Sequence, residues 1–151
     1  MYFWSHYWFG KMYFQRNIET ELLEWKGQNN RKPILLRGAR QVGKSSVVRH
    51  FAQNFDHFIE VNFDENADLC KLFSGTQNPI EICEQLSLLT KTPIEEGNTL
   101  LFFDEIQSCL PAISSLRYFY EKLPNLHLIA AGSLLEFALA ELPSFGVGRI
   151  S

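Results

Sequence analysis

The segment from Gly38 to Ser45, GARQVGKS, has residue types and spacing suited to binding a polyphosphate. It matches the pattern G-x-x-x-x-G-K-[ST] in full and lies between a predicted strand and a predicted helix. Glycines let backbone N–H groups turn inward, and these groups form a concave anion site with the helix N-terminus. Lys44 can reach the β- and γ-phosphates, and the Ser45 hydroxyl can ligate Mg²⁺. The predicted phosphate-binding residues are Gly38, Ala39, Arg40, Gln41, Val42, Gly43, Lys44, Ser45 and Ser46.

Two carboxylates follow a second apolar stretch, in the segment TLLFFDEIQ. A buried strand over Leu100–Phe103 would end with Asp104 and Glu105 at its carboxyl edge, where ligands bind in open α/β sheets. We predict that Asp104 holds Mg²⁺ through its water shell and that Glu105 is the general base for an attacking water. The alternative is a strand end with two solvated acids, and the upstream phosphate loop disfavours it.

A third apolar stretch, in HLIAAGSLLE, ends at Gly132 and Ser133. Ser133 could contact the γ-phosphate or orient the water, which makes it a candidate catalytic residue beside Lys44 and Glu105. It could equally cap a helix, because Glu136 follows three residues later in the capping-box spacing. Both interpretations stay open.

Alternating strands and helices must position these groups. The predicted strands cover Ile34–Leu36, Phe58–Phe63, Thr99–Phe103 and Leu126–Ala131. The predicted helices include one capped by Asn17, one after the phosphate loop, Pro79–Leu89 and Ala112–Leu123. Strands separated by helices indicate right-handed crossovers and a mostly parallel sheet, which places the chain in the α/β class.

Composition limits the function classes. The chain has 151 residues, the length of one domain, and 46% of them are hydrophobic, which is enough for a core. The net charge of −3 argues against a general nucleic-acid binder. Residues 1–50 carry nine Lys/Arg against three Asp/Glu, so positive charge surrounds the phosphate loop. The three cysteines have neither metal-ligand spacing nor a disulfide-framework pattern, which favours a reducing cytoplasm.

Residues 1–14 form an aromatic N-terminal extension with eight Phe, Tyr or Trp residues. The segment is too short to span a bilayer and lacks the pattern of a signal peptide. We interpret it as an extension or a packed tail, with contact at a membrane interface as the alternative. No membrane partner is expected for the chain as a whole.

At this point the sequence resembles the AAA-type P-loop ATP-binding proteins of bacteria and archaea. The resemblance is carried by LLRGARQVGKSS as Walker A, LLFFDEIQ as Walker B, IAAGSLLE as the sensor strand and GVGRI near the end. It implies a three-layer P-loop NTPase of the AAA type that binds ATP and Mg²⁺, with strand order 5-1-4-3-2. Many members add a nuclease-like C-terminal domain, through which DNA could be a partner.

The resemblance also predicts what the chain lacks. Residues 15–151 would be an AAA-type domain truncated at its C-terminus, without the fifth strand and the helical lid. The strand over Ile34–Leu36 would then have one neighbour and an unpaired apolar edge. Under this hypothesis the chain is an N-terminal fragment.

Three function classes remain. The first is Mg²⁺-dependent ATP hydrolysis, and the second is a nucleotide-gated module with little turnover. A P-loop kinase is less favoured, because kinases usually lack a Glu directly after the Walker B Asp. A cation for the transition state is not evident, although Arg117 or Arg149 could serve a neighbouring subunit in a homo-oligomer. The binding partner of the chain could thus be a second copy of itself or a different protein.

Overall fold

Five parallel strands form the centre of the molecule. The computed structural model describes residues 18–28, 32–37, 43–132 and 148–150. The strands are β1 (Ile34–Arg37), β2 (His57–Asn62), β3 (Thr99–Asp104), β4 (His127–Gly132) and β5 (Gly148–Ile150). They lie in the order β2-β3-β4-β1-β5, and each neighbouring pair is parallel.

Helices cover both faces of the sheet. They are α1 (18–26), α2 (Lys44–Phe51), α3 (Cys70–Gly75), α4 (Pro79–Thr90) and α5 (Leu110–Lys122). One core contains side chains of α1 and α2, and the other contains side chains of α3, α4 and α5. The α/β, three-layer prediction is therefore confirmed.

The alternation of strand side chains explains why β3 is apolar throughout. Leu100 and Phe102 pack in the core beneath α1 and α2, whereas Leu101 and Phe103 pack in the opposite core. Because helices cover both faces, each face of the strand requires apolar residues. A continuous apolar run, rather than an alternating one, is the expected sequence of such a strand.

The prediction that the fifth strand is missing is wrong. Gly148–Ile150 pairs in parallel with β1, and Arg149 lies opposite Leu35. Strand β1 therefore has a neighbour on each side, β4 and β5, and the predicted open apolar edge of β1 is not observed along this register. The physical reason is that three backbone residues suffice to pair the short β1 edge. A segment of three residues that contains glycine and arginine carries no strand periodicity that a sequence pattern would reveal.

The interpretation of the cysteines is also wrong in one respect. Cys70 and Cys109 form a disulfide, with their Cα atoms 5.7 Å apart. Cys70 begins α3 and Cys109 immediately precedes α5, and these two helices pack on the same face of the sheet. Their separation of 39 residues hides this proximity in the sequence.

Reducing the Cys70–Cys109 disulfide should lower the free energy of unfolding by roughly 2–4 kcal/mol, because the bond restricts the unfolded chain. Urea unfolding with and without dithiothreitol measures the difference. The Cys83→Ser variant is the matched control, since Cys83 is the free cysteine among the described residues, and it should keep the response to reductant. A Cys70→Ser/Cys109→Ser variant should lose that response, and an unchanged response would contradict the pairing.

Thiol counting gives an independent check, provided that it is done in denaturant. Burial raises the pKa of the Cys83 thiol to about 12, and the charges of Glu96 and Glu84 add to the effect. A raised pKa lowers the thiolate fraction at pH 8, so Cys83 should be alkylated slowly in the folded chain. The unfolded, unreduced chain should show one reactive thiol.

Candidate functional site

The turn before α2 places a lysine at the carboxyl edge of the sheet. Gly43 has φ 73° and ψ 33°, a left-handed conformation that glycine adopts without steric cost. α2 begins at the next residue, Lys44, and its first turn contains no acidic side chain. The partial positive charge of the helix N-terminus is therefore not neutralised from within that turn.

The Lys44 side chain is buried and crosses to a neighbouring strand. It is 6% exposed, and its Nζ donates a hydrogen bond to the backbone carbonyl of Gly132 at 3.2 Å. Gly132 ends β4, and the register places it opposite Arg37 at the end of β1. The ammonium group thus lies where the carboxyl ends of β1 and β4 meet. A buried ammonium requires charged or strongly polar partners, which an anionic ligand would provide.

Asp104 and Ser45 lie within hydrogen-bond distance of each other. Asp104 is the last residue of β3 and is 5% exposed. Its Oδ2 accepts a hydrogen bond from Ser45 Oγ at 2.6 Å, and its Oδ1 accepts one from the Glu105 N–H at 2.9 Å. Hydroxyl and carboxylate oxygens are ligands that Mg²⁺ prefers, so this pair fits the predicted metal.

Glu105 has an uncommon backbone conformation. Its φ is 53° and its ψ is 44°, in the left-handed region that residues with a Cβ rarely occupy. The residue is half-buried, and its Oε2 accepts a hydrogen bond from Gln107 Nε2 at 2.8 Å. Such backbone conformations cluster at functional sites, where the surrounding structure holds them. The sequence motif did not indicate this conformation.

An ion pair lies close to the acids of the site. Arg49 on α2 donates to both carboxylate oxygens of Glu60 on β2, at 2.9 and 2.8 Å. The hydrogen bond to Glu60 is the main cause that raises the pKa of Arg49 above its ordinary value, and the negative charge of Asp104 contributes. The Arg49 guanidinium therefore remains protonated at every physiological pH. Its charge is already paired with the Glu60 carboxylate.

The carboxyl end of β2 holds an asparagine that the sequence prediction missed. Asn62 lies opposite Asp104 in the register, and its Oδ1 accepts hydrogen bonds from the N–H groups of Asp64 and Glu65. Ser108 in turn donates to Asp64. These bonds hold the turn after β2 against the turn that follows Glu105, so the two turns form one edge of the site.

Several predicted site residues lie outside the described residues. They are Gly38, Ala39, Arg40, Gln41, Val42 and Ser133. The aromatic extension, residues 1–14, lies outside them as well. Of the others, Lys44, Ser45, Asp104 and Glu105 come together at the carboxyl edge of the sheet, whereas the Ser46 side chain is exposed on α2. The roles of all these residues stay predictions.

The candidate arginines occupy different elements. Arg117 lies on α5 and forms an exposed ion pair with Glu121, with a distance of 3.1 Å between Nε and Oε1. Arg149 belongs to β5. Within the ranges that the structure describes, we find no helix with both the length and the apolar character needed to cross a membrane.

The chain is similar to known proteins both in its fold and in its sequence family. No curated protein matches the chain. Among solved structures, PCH-2 from C. elegans is similar, with 15% sequence identity and a TM-score of 0.47. The match covers 91% of this chain but only 42% of the PCH-2 chain. A family model described as "AAA domain" matches residues 30–151, about four fifths of the chain. The chain therefore belongs to the AAA domain family, whose members are nucleotide-binding domains of the ATPase type.

Proposed function

We propose that the chain binds ATP together with Mg²⁺ and hydrolyses ATP to ADP and phosphate. The convergence of Lys44, Ser45 and Asp104 at one edge of the sheet supports this proposal most directly. A buried ammonium lies there beside a hydroxyl–carboxylate pair, which suits a polyphosphate and a divalent cation. The Walker A and Walker B motifs, which the sequence carries in full, supply the same residues.

Each described group has a role that follows from its position. The Lys44 ammonium exchanges its hydrogen bond with the Gly132 carbonyl for bonds to the β- and γ-phosphates. Ser45 and Asp104, which share a hydrogen bond in this structure, would hold the metal. Mg²⁺ bound there would neutralise negative charge on the phosphate oxygens. The loop residues from Gly38 to Val42 complete the proposed binding site.

Glu105 acts as the general base in this proposal. It accepts a proton from a water whose oxygen bonds to the γ-phosphorus, while the bond from that phosphorus to the β–γ bridging oxygen breaks and ADP leaves. Glu105 directly follows Asp104, the proposed metal ligand. This position favours activation of a water molecule over transfer of the phosphoryl group to another acceptor, as in a kinase. Ser133 would contact the γ-phosphate in this proposal, and the capping of a helix remains the alternative that its sequence pattern predicts.

A binding module with little turnover is the second candidate. The two arginine side chains that the structure describes are Arg49 and Arg117, and each already pairs with a glutamate. An arginine finger accelerates phosphoryl transfer by roughly 10³- to 10⁵-fold in other proteins. For rapid turnover, a neighbouring subunit of a homo-oligomer or another protein partner would have to supply this arginine.

Phosphate release from Mg-ATP by the purified chain tests the proposal. Hydrolysis should be measurable, should stop when EDTA removes the metal, and should return when excess Mg²⁺ is added. Calorimetry with ATP tests binding, which both candidates require, whereas phosphate release tests turnover, which only the first candidate requires. A chain that binds ATP without releasing phosphate supports the module, and a chain that does not bind ATP contradicts both.

A further inference from the structure

Gln107 connects the proposed general base to the end of β4. It lies two residues after Glu105, in the short 3-10 turn Ile106–Ser108. Its Nε2 donates to Glu105 Oε2 at 2.8 Å. Because a carboxylate only accepts hydrogen bonds, the NH₂ end of the carboxamide must face Glu105 and the oxygen must face away. That oxygen, Gln107 Oε1, is buried.

The Gln107 carboxamide packs directly on Gly132. A Cβ added at Gly132 would overlap Gln107 Oε1, and it would lie 3.4 Å from Gln107 Cδ and 3.4 Å from the Ile106 nitrogen. Gly132 is not among the glycines with a left-handed φ, so its backbone conformation does not require glycine. The close approach of Gln107 is therefore the observed reason for glycine at this position.

Gly132 is also the residue whose carbonyl accepts the Lys44 hydrogen bond. A continuous set of contacts thus leads from Glu105 through Gln107 to the strand end beside the phosphate-binding lysine. Backbone hydrogen bonds reinforce the turn, because Ser108 N donates to the Glu105 carbonyl at 3.1 Å and Cys109 N donates to the Ile106 carbonyl at 2.9 Å. These bonds hold Glu105 in its left-handed conformation.

We propose that Gln107 is a positioning residue that holds the Glu105 carboxylate in the orientation needed to accept the proton of the attacking water. Gly132 makes this possible by leaving room for the carboxamide. The inference rests on the proposed function, since it assigns the residue that orients the base. A general base must lie within about 2.6–3.2 Å of the proton donor, and a flexible glutamate side chain does not keep that position by itself.

Replacing Gln107 with alanine should lower kcat by roughly 10- to 100-fold, the range expected when a reacting group is misplaced by about 1 Å. The Kd for ATP should stay within about twofold of the original value, because Gln107 contacts the base and not the proposed phosphate or metal ligands. Phosphate release and calorimetry measure the two quantities. Gln85→Ala, on the exposed face of α4, is the matched control and should change neither quantity.

Gly132→Ala tests the same contact from the opposite side. The added methyl group should displace the flexible end of Gln107, so kcat should fall as it does in the Gln107 variant. In the double variant Gln107→Ala/Gly132→Ala the clash is removed, and kcat should equal that of Gln107→Ala alone. A double variant in which the two losses multiply would overturn the proposed contact. A Gly132→Ala variant that mainly raises the Kd for ATP would also overturn it, because such an effect would act through Lys44, which bonds to the Gly132 carbonyl.

The outcomes separate this inference from the proposed function. If the original chain hydrolyses Mg-ATP and Gln107→Ala keeps or raises kcat, the inference is overturned and the proposed function stands. If the original chain does not hydrolyse Mg-ATP, the proposed function fails and the inference fails with it. Urea unfolding verifies that each variant is folded. Should the alanine variant not fold, Gln107→Met keeps most of the volume but cannot donate, and the same loss of kcat is expected.

Discussion

Replacing Lys44 with alanine should abolish measurable ATP binding. The Lys44 ammonium is 6% exposed, so its charge is little screened by solvent where a polyphosphate would lie. Removing one partner of a buried charge pair costs about 3–5 kcal/mol. This loss corresponds to a rise in Kd of roughly 10²- to 10⁴-fold. Isothermal titration calorimetry of the variant with Mg-ATP measures it.

The fold should survive the Lys44→Ala change. In the absence of ligand, the variant loses the hydrogen bond to the Gly132 carbonyl, and a bond of this kind is worth about 1 kcal/mol. Lys71→Ala is the control, because that lysine is 84% exposed and pairs only at the surface with Asp68. The control should bind ATP as the original chain does. Unchanged ATP affinity in folded Lys44→Ala would remove Lys44 from the phosphate site.

Replacing Glu105 with glutamine should keep ATP bound and stop its hydrolysis. A carboxamide has nearly the shape of a carboxylate, and its oxygen can still accept the hydrogen bond from Gln107 Nε2. It cannot take the proton of the attacking water, however, and general-base catalysis contributes about 10²- to 10⁴-fold to rates. We therefore expect kcat to fall by that factor while Kd changes little. Phosphate release and calorimetry provide the two measurements.

Glu84→Gln is the matched control for this experiment. Glu84 is exposed on α4 and belongs to no part of the proposed site, so its neutralisation should leave both kcat and Kd unchanged. If Glu105→Gln hydrolyses ATP at the original rate, Glu105 is not the base. If the original chain itself releases no phosphate, the substitution has nothing to remove and the binding module becomes the better description.

The elements with strong apolar patterns were predicted closely from the sequence. The helix predicted over Pro79–Leu89 is observed as Pro79–Thr90, and the strand predicted over Thr99–Phe103 is observed as Thr99–Asp104. The reason is that β3 buries every one of its residues and α4 buries one face, with Pro79, Ile82 and Leu86, so the hydrophobic pattern of each element follows its geometry. The helix predicted after the phosphate loop is observed over Lys44–Phe51.

The features that were missed carry no local pattern. β5 contains three residues and depends on the backbone edge of β1, more than 100 residues earlier. The Cys70–Cys109 bond joins two helices that only the crossovers bring together. The left-handed backbone of Glu105 and its bond to Gln107 depend on the turn that follows β3, and the motif DEIQ shows the residue types without their conformation.

By itself, the sequence determined the layered α/β architecture and the chemical types at the candidate site, because hydrophobic periodicity and the phosphate-loop spacing are local properties of the chain. Only the tertiary structure decided that Lys44 reaches Gly132, that Ser45 contacts Asp104 and that Gln107 packs on Gly132. Each of these contacts joins the last residue of one strand to a residue in the turn or helix that follows another strand. Parallel strand order sets which ends are adjacent, and that order arises from the packing of the whole sheet rather than from any one segment.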